Sequence, residues 1–399
     1  MAEDIPQGLI SQGFANPHSS AATVADFKAV RLGTKRPCAV VAITKHGVDI
    51  ARRIRAHLPE VDVYYPEKFS RGDEDGVHIR VFAGSVVPQA PTLFEKYDGI
   101  VGIFSLGAMV RVIAPYLIDK KTDPAVVVID DRAQHVISVL SGHLGGANQL
   151  TRIIARALDA DPVITTASDV RETLAVDLLG REFAWEIENF DQVTAVSAAV
   201  VNEQRIHFVQ EAGEPNWWPY ATPLPPYLHV YSDTSAAMAH PFDAALVITP
   251  RLLSAEEQRV LLKNGVLYRP KVVVVGIGCH RGTPAAELEA AIAMALDKAQ
   301  VSPRSVRNLA TIDVKAQEQG LLEVCRSHGW PLTTYTAAEL NQVPLAHPSA
   351  TVHRFVGAYG VCEPAARLSS KASDWLLEKL KIGNVTVSVC IAAQAAKFA

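Results

Sequence analysis

The stretch that decides the fold is VISVLSGHLGGANQLTRIIARAL, at residues 136–158. Its first five residues are mostly β-branched or apolar and predict a buried strand. Residues 147–158 place apolar side chains three and four positions apart, which is typical of an amphipathic helix. The glycine-rich segment between them predicts a sharp turn. The stretch therefore predicts a strand followed directly by a helix, which is the building unit of an α/β domain.

The same alternation of strand and helix continues towards the N-terminus. The residues at 39–44, 61–65, 99–104 and 125–130 form short β-branched runs, and each run predicts a strand. Further helices are predicted at residues 48–58, 88–97 and 109–117. Strands that alternate with helices of this length indicate a layered α/β fold.

The chain length of 399 residues exceeds one ordinary core and indicates two or three folded units. We expect a flexible N-terminal extension at residues 1–36 and an α/β domain with a mostly parallel central sheet at 37–165. Residues 166–267, which contain a tryptophan- and proline-rich stretch, predict a smaller middle linker domain. Residues 268–399 predict a second α/β domain with a mostly parallel sheet. We predict three α/β units in all, with the active cleft between the first and the last.

Composition excludes several classes of protein. The net charge of -4 and the absence of a basic stripe argue against nucleic acid as the ligand. No apolar run is long enough to predict a membrane span, and the acidic N-terminus lacks a signal pattern, so we expect a cytoplasmic protein. The five cysteines are scattered without a CxxC pair, which favours reduced thiols. Because the histidines are isolated, no intrinsic metal site is predicted.

The turn SGHLGGAN carries the first group of candidate ligand-binding residues. Gly142, Gly145 and Gly146 let a ligand approach the backbone closely. The helix that follows, which includes Asn148, presents the N–H groups of its first turn to an anion. We therefore predict that these four residues bind substrate.

Ser141 and His143 bracket this turn and are the first candidates for catalysis. We expect both side chains to project from the carboxyl end of a strand, where open parallel sheets bind ligands. The alternative is a tight turn with a capping serine and a surface histidine. Val139 stands where a GxSxG motif needs its first glycine, which disfavours a serine-hydrolase elbow.

A second glycine-rich turn follows the strand predicted at residues 271–276. Gly276 and Gly278 match the start of a dinucleotide fingerprint, but Arg281 occupies its third glycine position, which disfavours a nicotinamide cofactor. The remaining pattern favours an anion site in which the positively charged guanidinium of Arg281 donates hydrogen bonds to the ligand. Thr283 is predicted to cap the helix that follows and to contact the same ligand.

Arg111 and Cys279 each have two possible roles. Arg111 lies in the apolar segment AMVRVIAP, where a buried guanidinium needs a partner, either a ligand anion or an internal carboxylate. Cys279 stands next to His280 and is either a nucleophile or, more commonly for a cysteine beside a buried strand, an inert packing residue.

Taken together and in this order, the sequence segments resemble the cobalt-precorrin-5A hydrolase family of anaerobic cobalamin biosynthesis. The resemblance extends over nearly the whole chain from about Pro37, and its C-terminal part is similar to a small stand-alone protein of the aerobic pathway. His280 departs from the family pattern, which usually has a second Arg or Lys there, and residues 1–36 have no counterpart. The segments that carry the resemblance lie at residues 102–130, 136–158, 162–170, 273–283, 309–323, 356–366 and 383–389.

The resemblance implies a substrate and a reaction. The substrate is a cobalt-containing tetrapyrrole, in which a δ-lactone joins a ring A acetate to a two-carbon fragment. The reaction opens the lactone with water and releases acetaldehyde, and because the substrate carries the cobalt, no added cofactor is expected. Neighbouring enzymes of the pathway and a second copy in a homodimer are left open as partners. The alternatives are a non-catalytic tetrapyrrole carrier and a lactonase or esterase on a simpler substrate.

The hydrolytic reaction needs a base, and two residues are candidates. His143 is the first, because imidazole accepts a proton near neutral pH without special tuning, with Ser141 orienting it or the attacked carbonyl. Glu363, in the segment VCEP, is the rival base. His143 has a further alternative as a hydrogen-bond donor to a substrate carboxylate.

Overall fold

The computed structural model describes residues 35–119, 122–143, 145–166, 173–218, 220 and 222–393. Contacts between residues divide the chain into two compact units, Met1–Val170 and Arg171–Ala399. The predicted extension at residues 1–36 lies outside the described residues, apart from Lys35 and Arg36. The predicted domain boundaries and the predicted cleft stay predictions.

The described part of the first unit contains one seven-stranded sheet. Its strands are β1 (Arg36–Ala42), β2 (Asp62–Pro66), β3 (Ile79–Phe82), β4 (Tyr97–Ile103), β5 (Ala125–Ile129), β6 (His135–Leu140) and β7 (Asp161–Val163). They follow the order β3-β2-β1-β4-β5-β6-β7. The first five are parallel to one another, β6 is antiparallel to β5, and β7 is parallel to β6. Strands β1, β4 and β5 are almost completely buried, as a parallel sheet covered by helices requires.

The helices described in this unit are α1 (Lys45–His57), α2 (Ala90–Lys96), α3 (Leu106–Ile113) and α4 (Ala147–Leu158). The apolar face predicted for α1 is buried in the core, and its N-terminus is capped by Thr44, whose Oγ1 accepts a hydrogen bond from the Gly47 N–H at 2.9 Å. Helix α3 begins earlier than predicted and ends at Ile113, because Pro115 lacks the N–H that would continue the helix.

The second unit contains two five-stranded sheets in its described residues. The middle sheet has the order β10-β9-β11-β12-β8, and only β8 is antiparallel to its neighbour. Its strands are β8 (Glu186–Ile187), β9 (Ile206–Gln210), β10 (Leu228–Tyr231), β11 (Ala244–Ile248) and β12 (Gly265–Arg269).

The C-terminal sheet has the order β15-β14-β13-β17-β16. Its strands are β13 (Val273–Cys279), β14 (Val306–Ile312), β15 (Leu332–Tyr335), β16 (Leu377–Ile382) and β17 (Val385–Ile391). Strands β13, β14 and β15 are parallel, whereas β17 is antiparallel to both β13 and β16. The predicted α/β class, with three units and mostly parallel sheets in the first and the last, is confirmed.

The helices described in the second unit are α5 (Val193–Val201), α6 (Thr234–Met238), α7 (Ala255–Leu261), α8 (Ala285–Lys298), α9 (Gln319–His328), α10 (Ala337–Leu340), α11 (Ala350–Val356) and α12 (Cys362–Ser370). Helices α8 and α12 cover opposite faces of the C-terminal sheet. The predicted cap by Thr283 is wrong, because Pro284 is the N-cap and the Thr283 hydroxyl donates to the His280 carbonyl at 2.9 Å. Within the described ranges, none of the helices has the length and apolar character needed to cross a membrane.

Candidate active site

The turn after β6 is held together by its own backbone. The Ala147 N–H donates to the Ser141 carbonyl at 3.1 Å, and the Asn148 N–H donates to the Gly142 carbonyl at 3.0 Å. These donors belong to the first turn of α4, where helical N–H groups have no partner within the helix. The expectation that the helix start offers free N–H groups to an anion is therefore wrong for these two residues.

The glycines of this turn are required by its geometry. A Cβ on Gly145 would lie 2.3 Å from the Ser141 Cβ, and a Cβ on Gly142 would lie 2.7 Å from the Asn148 Oδ1. Gly146 has a φ of 82°, in the left-handed region that glycine adopts readily. Close packing explains Gly142 and Gly145, and the positive φ explains Gly146, while the contact of all three with substrate stays a prediction.

The Asn148 side chain connects the turn to two neighbouring segments. It is 3% exposed, and its Oδ1 accepts a hydrogen bond from the Ser138 hydroxyl at 2.7 Å. Its Nδ2 donates to the Thr166 Oγ1 at 3.0 Å. Asn148 therefore ties α4 to β6 and to the segment after β7, while its predicted substrate contact stays a prediction.

Ser141 and His143 have different surroundings within the turn. Ser141 adopts a φ of 56°, which is uncommon for a residue with a Cβ. Its hydroxyl donates to the Asp123 carbonyl at 3.0 Å, so the single hydroxyl proton is already used and the oxygen is left as an acceptor. His143 is half-buried.

The edge of the sheet on which this turn lies differs from the expected one. Strand β6 is antiparallel to β5, and Leu140 at the end of β6 pairs with Val126 at the start of β5. The turn therefore lies at the edge where β5 begins, opposite the carboxyl ends of β1 to β5. Ser141 and His143 do follow the carboxyl end of a strand as expected, but the expectation that this end lies at the ligand-binding edge of the parallel strands is wrong.

Arg111 is exposed on α3, so the expectation that its guanidinium is buried is wrong. Its Nη1 donates to the Gly107 carbonyl of the same helix at 3.0 Å. A guanidinium has five N–H donors, and the others can serve a ligand anion. The predicted substrate contact of Arg111 stays a prediction.

The glycines of β13 permit close packing of neighbouring elements. A Cβ on Gly276 would lie 1.9 Å from the Cys362 carbonyl oxygen of α12, and a Cβ on Gly278 would lie 2.7 Å from the Thr386 Oγ1 of β17. The backbone of α12 thus occupies the space that a side chain at Gly276 would need. This packing explains the glycine without a ligand, and the predicted substrate contacts of both glycines stay predictions.

The turn after β13 combines an exposed arginine with a carboxylate that the sequence analysis missed. Arg281 is exposed, and within the described part of the chain its side chain forms no hydrogen bond or ion pair. The neighbouring Gly282 N–H donates to the Glu318 Oε1 at 2.6 Å. The Glu318 Oε2 lies 2.9 Å from the Lys315 Nζ, and these two side chains are only 10% and 13% exposed. A Lys-x-x-Glu spacing directly after β14 was the signal available in the sequence.

Glu363 lies in the first turn of α12 and is half-buried. Burial raises the pKa of its carboxyl group, while the positive charges of Lys379 and His347 act in the opposite direction and Glu378 adds to the rise. A carboxyl group with a raised pKa is a stronger base than an ordinary glutamate. The direction of this pKa shift is compatible with the role of Glu363 as a rival base, which stays a prediction.

The cysteines are all free thiols in the described structure, as their scattered positions predict. Burial raises the pKa of the Cys279 thiol, which disfavours the thiolate that a nucleophile needs. This finding favours the packing role over the nucleophilic one. Among the residues with described positions, no group of three or more His, Cys, Asp or Glu side chains could hold a metal ion.

Comparison with known protein families shows which family this chain resembles along its length. Models of the cobalamin synthesis G N-terminal region, the cobalamin biosynthesis central region and the cobalamin synthesis G C-terminus match residues 89–169, 174–270 and 273–390. A curated relative from Priestia megaterium, named cobalt-precorrin-5A hydrolase, is 54% identical over 88% of this chain and 94% of the relative. The chain belongs to the cobalt-precorrin-5A hydrolase family. The resemblance inferred from the sequence is confirmed.

Two further curated proteins are similar to this chain, the first over most of its length and the second over less than a third of it. The cobalt-precorrin-5A hydrolase of Salmonella typhimurium is 33% identical over 89% of this chain and 97% of the relative. Protein CobE of a Sinorhizobium species is 32% identical over 29% of this chain and 78% of its own length.

Proposed function

We propose that this protein is a cytoplasmic cobalt-precorrin-5A hydrolase, which opens the δ-lactone of its cobalt-containing substrate and releases acetaldehyde to give cobalt-precorrin-5B. The observation that carries the proposal is the 54% identity to the Priestia megaterium relative of that name over 94% of its length. The free thiols are compatible with a reducing compartment.

The proposed reaction has two bond-breaking stages. Water adds to the lactone carbonyl carbon, and the ring C–O bond breaks to give the ring A acetate and a hydroxyl group on the two-carbon fragment. That hydroxyl loses its proton, the bond between the fragment and the macrocycle breaks, and acetaldehyde leaves. The electron pair stays on the macrocycle, which takes up a proton. Because the macrocycle and its cobalt accept these electrons, we propose that no added cofactor takes part.

His143 is the proposed base for the attacking water. Histidine titrates near neutral pH, and this one is half-buried in the turn beside Ser141. The Ser141 oxygen can accept a hydrogen bond from a protonated imidazole, because its own proton is donated to Asp123. Glu363 is the second candidate, supported by its raised pKa.

Exposed arginines are the proposed contacts for the peripheral carboxylates of the substrate. Arg281 and Arg111 are both exposed, and neither forms an ion pair with a described residue. Charge-assisted bonds between guanidinium and carboxylate groups are strong and directional. The two side chains therefore support binding of a polyanionic macrocycle.

One assay tests the proposal. The purified protein is incubated with cobalt-precorrin-5A, and released acetaldehyde is trapped and quantified against a sample without protein. Acetaldehyde in proportion to the consumed substrate is the expected result. Substrate binding without acetaldehyde would indicate a carrier, and turnover of simple lactones or esters without turnover of the macrocycle would indicate a different hydrolase.

A further inference from the structure

The outward side of α3 and the loop that follows it are apolar. Leu106 and Val110 lie one helical turn apart and are 42% and 47% exposed. Leu117 and Ile118, directly after the 3-10 turn Ala114–Tyr116, are 43% and 86% exposed. We name these four exposed side chains of one helix and the loop after it the apolar ledge. Adjacent exposed apolar side chains of this size are uncommon on soluble proteins and often mark a binding site.

Asp123 connects the apolar ledge to the turn after β6. It is 9% exposed, and both oxygens of its carboxylate lie 3.1 Å from the Ile118 backbone nitrogen, which donates to them. The carbonyl oxygen of the same residue accepts the hydrogen bond from the Ser141 hydroxyl at 3.0 Å. One buried residue therefore fixes the tip of the apolar ledge beside the turn that carries His143.

The charge on the apolar ledge indicates the chemistry of its occupant. Arg111 is exposed on the same helix, next to Val110. An occupant with an apolar face and a carboxylated rim satisfies both the ledge and the arginine. A second copy of the chain fits less well, because a two-fold contact centred on the ledge would bring two Arg111 side chains together.

We propose, on the basis of the proposed function, that one face of the cobalt-precorrin-5A macrocycle packs on the apolar ledge while its peripheral carboxylates reach Arg111. A tetrapyrrole is flat, apolar on its faces and carboxylated at its rim, so it matches this surface. Asp123 is a positioning residue in this arrangement, because it holds Ile118 and Ser141 in fixed relation without touching the substrate.

The test replaces Ile118, the most exposed side chain of the apolar ledge. Ile118→Ser is compared with Val77→Ser, which changes a β-branched residue of the same unit that is 52% exposed and lies outside the ledge. We expect Ile118→Ser to raise KM for cobalt-precorrin-5A about 10-fold while kcat changes little, since packed apolar area is lost in the ground and transition states alike. Val77→Ser should leave both constants unchanged.

Binding is measured in parallel from the visible absorption of cobalt-precorrin-5A, so that the apolar ledge is tested independently of turnover. A wild-type protein that binds the macrocycle but releases no acetaldehyde would refute the proposed function alone. An Ile118→Ser variant with wild-type KM and Kd would overturn the proposal of the ledge. If the same variant also changed from dimer to monomer in sedimentation, the ledge would be a surface between copies.

Discussion

The two glycine-rich segments look alike in sequence, but the first forms a turn after β6 whereas Gly276 and Gly278 of the second lie inside strand β13. In the turn after β6, Gly145 and Gly146 permit a tight, internally hydrogen-bonded loop, in which one residue needs a positive φ and another has no room for a Cβ. In β13, Gly276 permits the backbone of α12 to approach the strand. The first pattern shapes a loop, whereas the second joins a helix to a sheet. Glycine content alone therefore does not identify a ligand-binding loop.

The largest expected effect concerns which residue supplies the base, His143 in the turn after β6 or Glu363 in α12. His143→Ala and Glu363→Gln are compared in single-turnover release of acetaldehyde with saturating substrate. Loss of a general base reduces the rate about 10²–10⁴-fold, and we expect this loss for His143→Ala. Normal turnover by saturated His143→Ala, together with a large loss in Glu363→Gln, would transfer the role to Glu363 on α12. For a Glu363 base, the wild-type rate would rise with pH through a pKa above that of an ordinary glutamate, because burial raises it.

The next prediction tests the packing reason for Gly276. A Cβ there would lie 1.9 Å from the Cys362 carbonyl oxygen, and backbone cannot move aside as a side chain can. We expect Gly276→Ala to destabilise the second unit by about 3 kcal/mol, measured by denaturant unfolding. Gly282→Ala is the matched control, because its Cβ would meet nothing within 4 Å and only its φ of 75° opposes the change, at about 1 kcal/mol. Equal losses in the two variants would contradict the packing explanation.

A smaller effect is expected at the exposed arginine of the second turn. Arg281→Ala should weaken binding of the carboxylated macrocycle by about 1–3 kcal/mol, the scale of a hydrogen bond to a charged group, with thermal stability unchanged. Arg259→Ala is the control, since that side chain is 75% exposed on the middle domain. A loss of stability at unchanged Kd would instead make Arg281 a structural residue.

Local patterns in the sequence were sufficient for much of the fold. The buried face of α1 follows from apolar spacing, and the strand predicted at residues 125–130 coincides with β5. Strand direction was not predictable in the same way, because the antiparallel pairing of β6 with β5 depends on partners that periodicity does not reveal. Strand β16, with the sequence LEKLKI, was missed because it is a charged edge strand that is only partly buried.

The surroundings of the candidate site residues were less predictable than the helices and strands. The exposure of Arg281 agrees with an anion contact, whereas the burial expected for Arg111 is wrong because α3 turns that residue to the surface. The close packing at Gly276 depends on Cys362, and the hydrogen bond to the Asp123 carbonyl depends on Ser141, and both partners are distant in the chain. Such tertiary contacts leave no periodic signal in a single sequence.

The smallest expected effect concerns the groups that stabilise the two turns, which are a carboxylate in the turn after β13 and backbone and amide groups in the turn after β6. Burial acts to raise the pKa of Glu318, but the hydrogen bonds from Lys315 and the Gly282 N–H outweigh it, and the pKa lies below the ordinary 4.5. The stabilisation from this carboxylate is therefore complete above pH 4.5 and is lost as the pH falls through the lowered value. The turn after β6 is held by backbone and amide groups, which do not titrate in this pH range.

The measurement uses ¹⁵N-glycine labelling, with which we expect the Gly282 amide resonance to titrate below pH 4.5 while that of Gly146 does not. Glu318→Gln should abolish that titration and reduce stability near neutral pH by only about 0.5 kcal/mol. A Gly282 resonance that titrates equally in Glu318→Gln would show that another group controls the second turn.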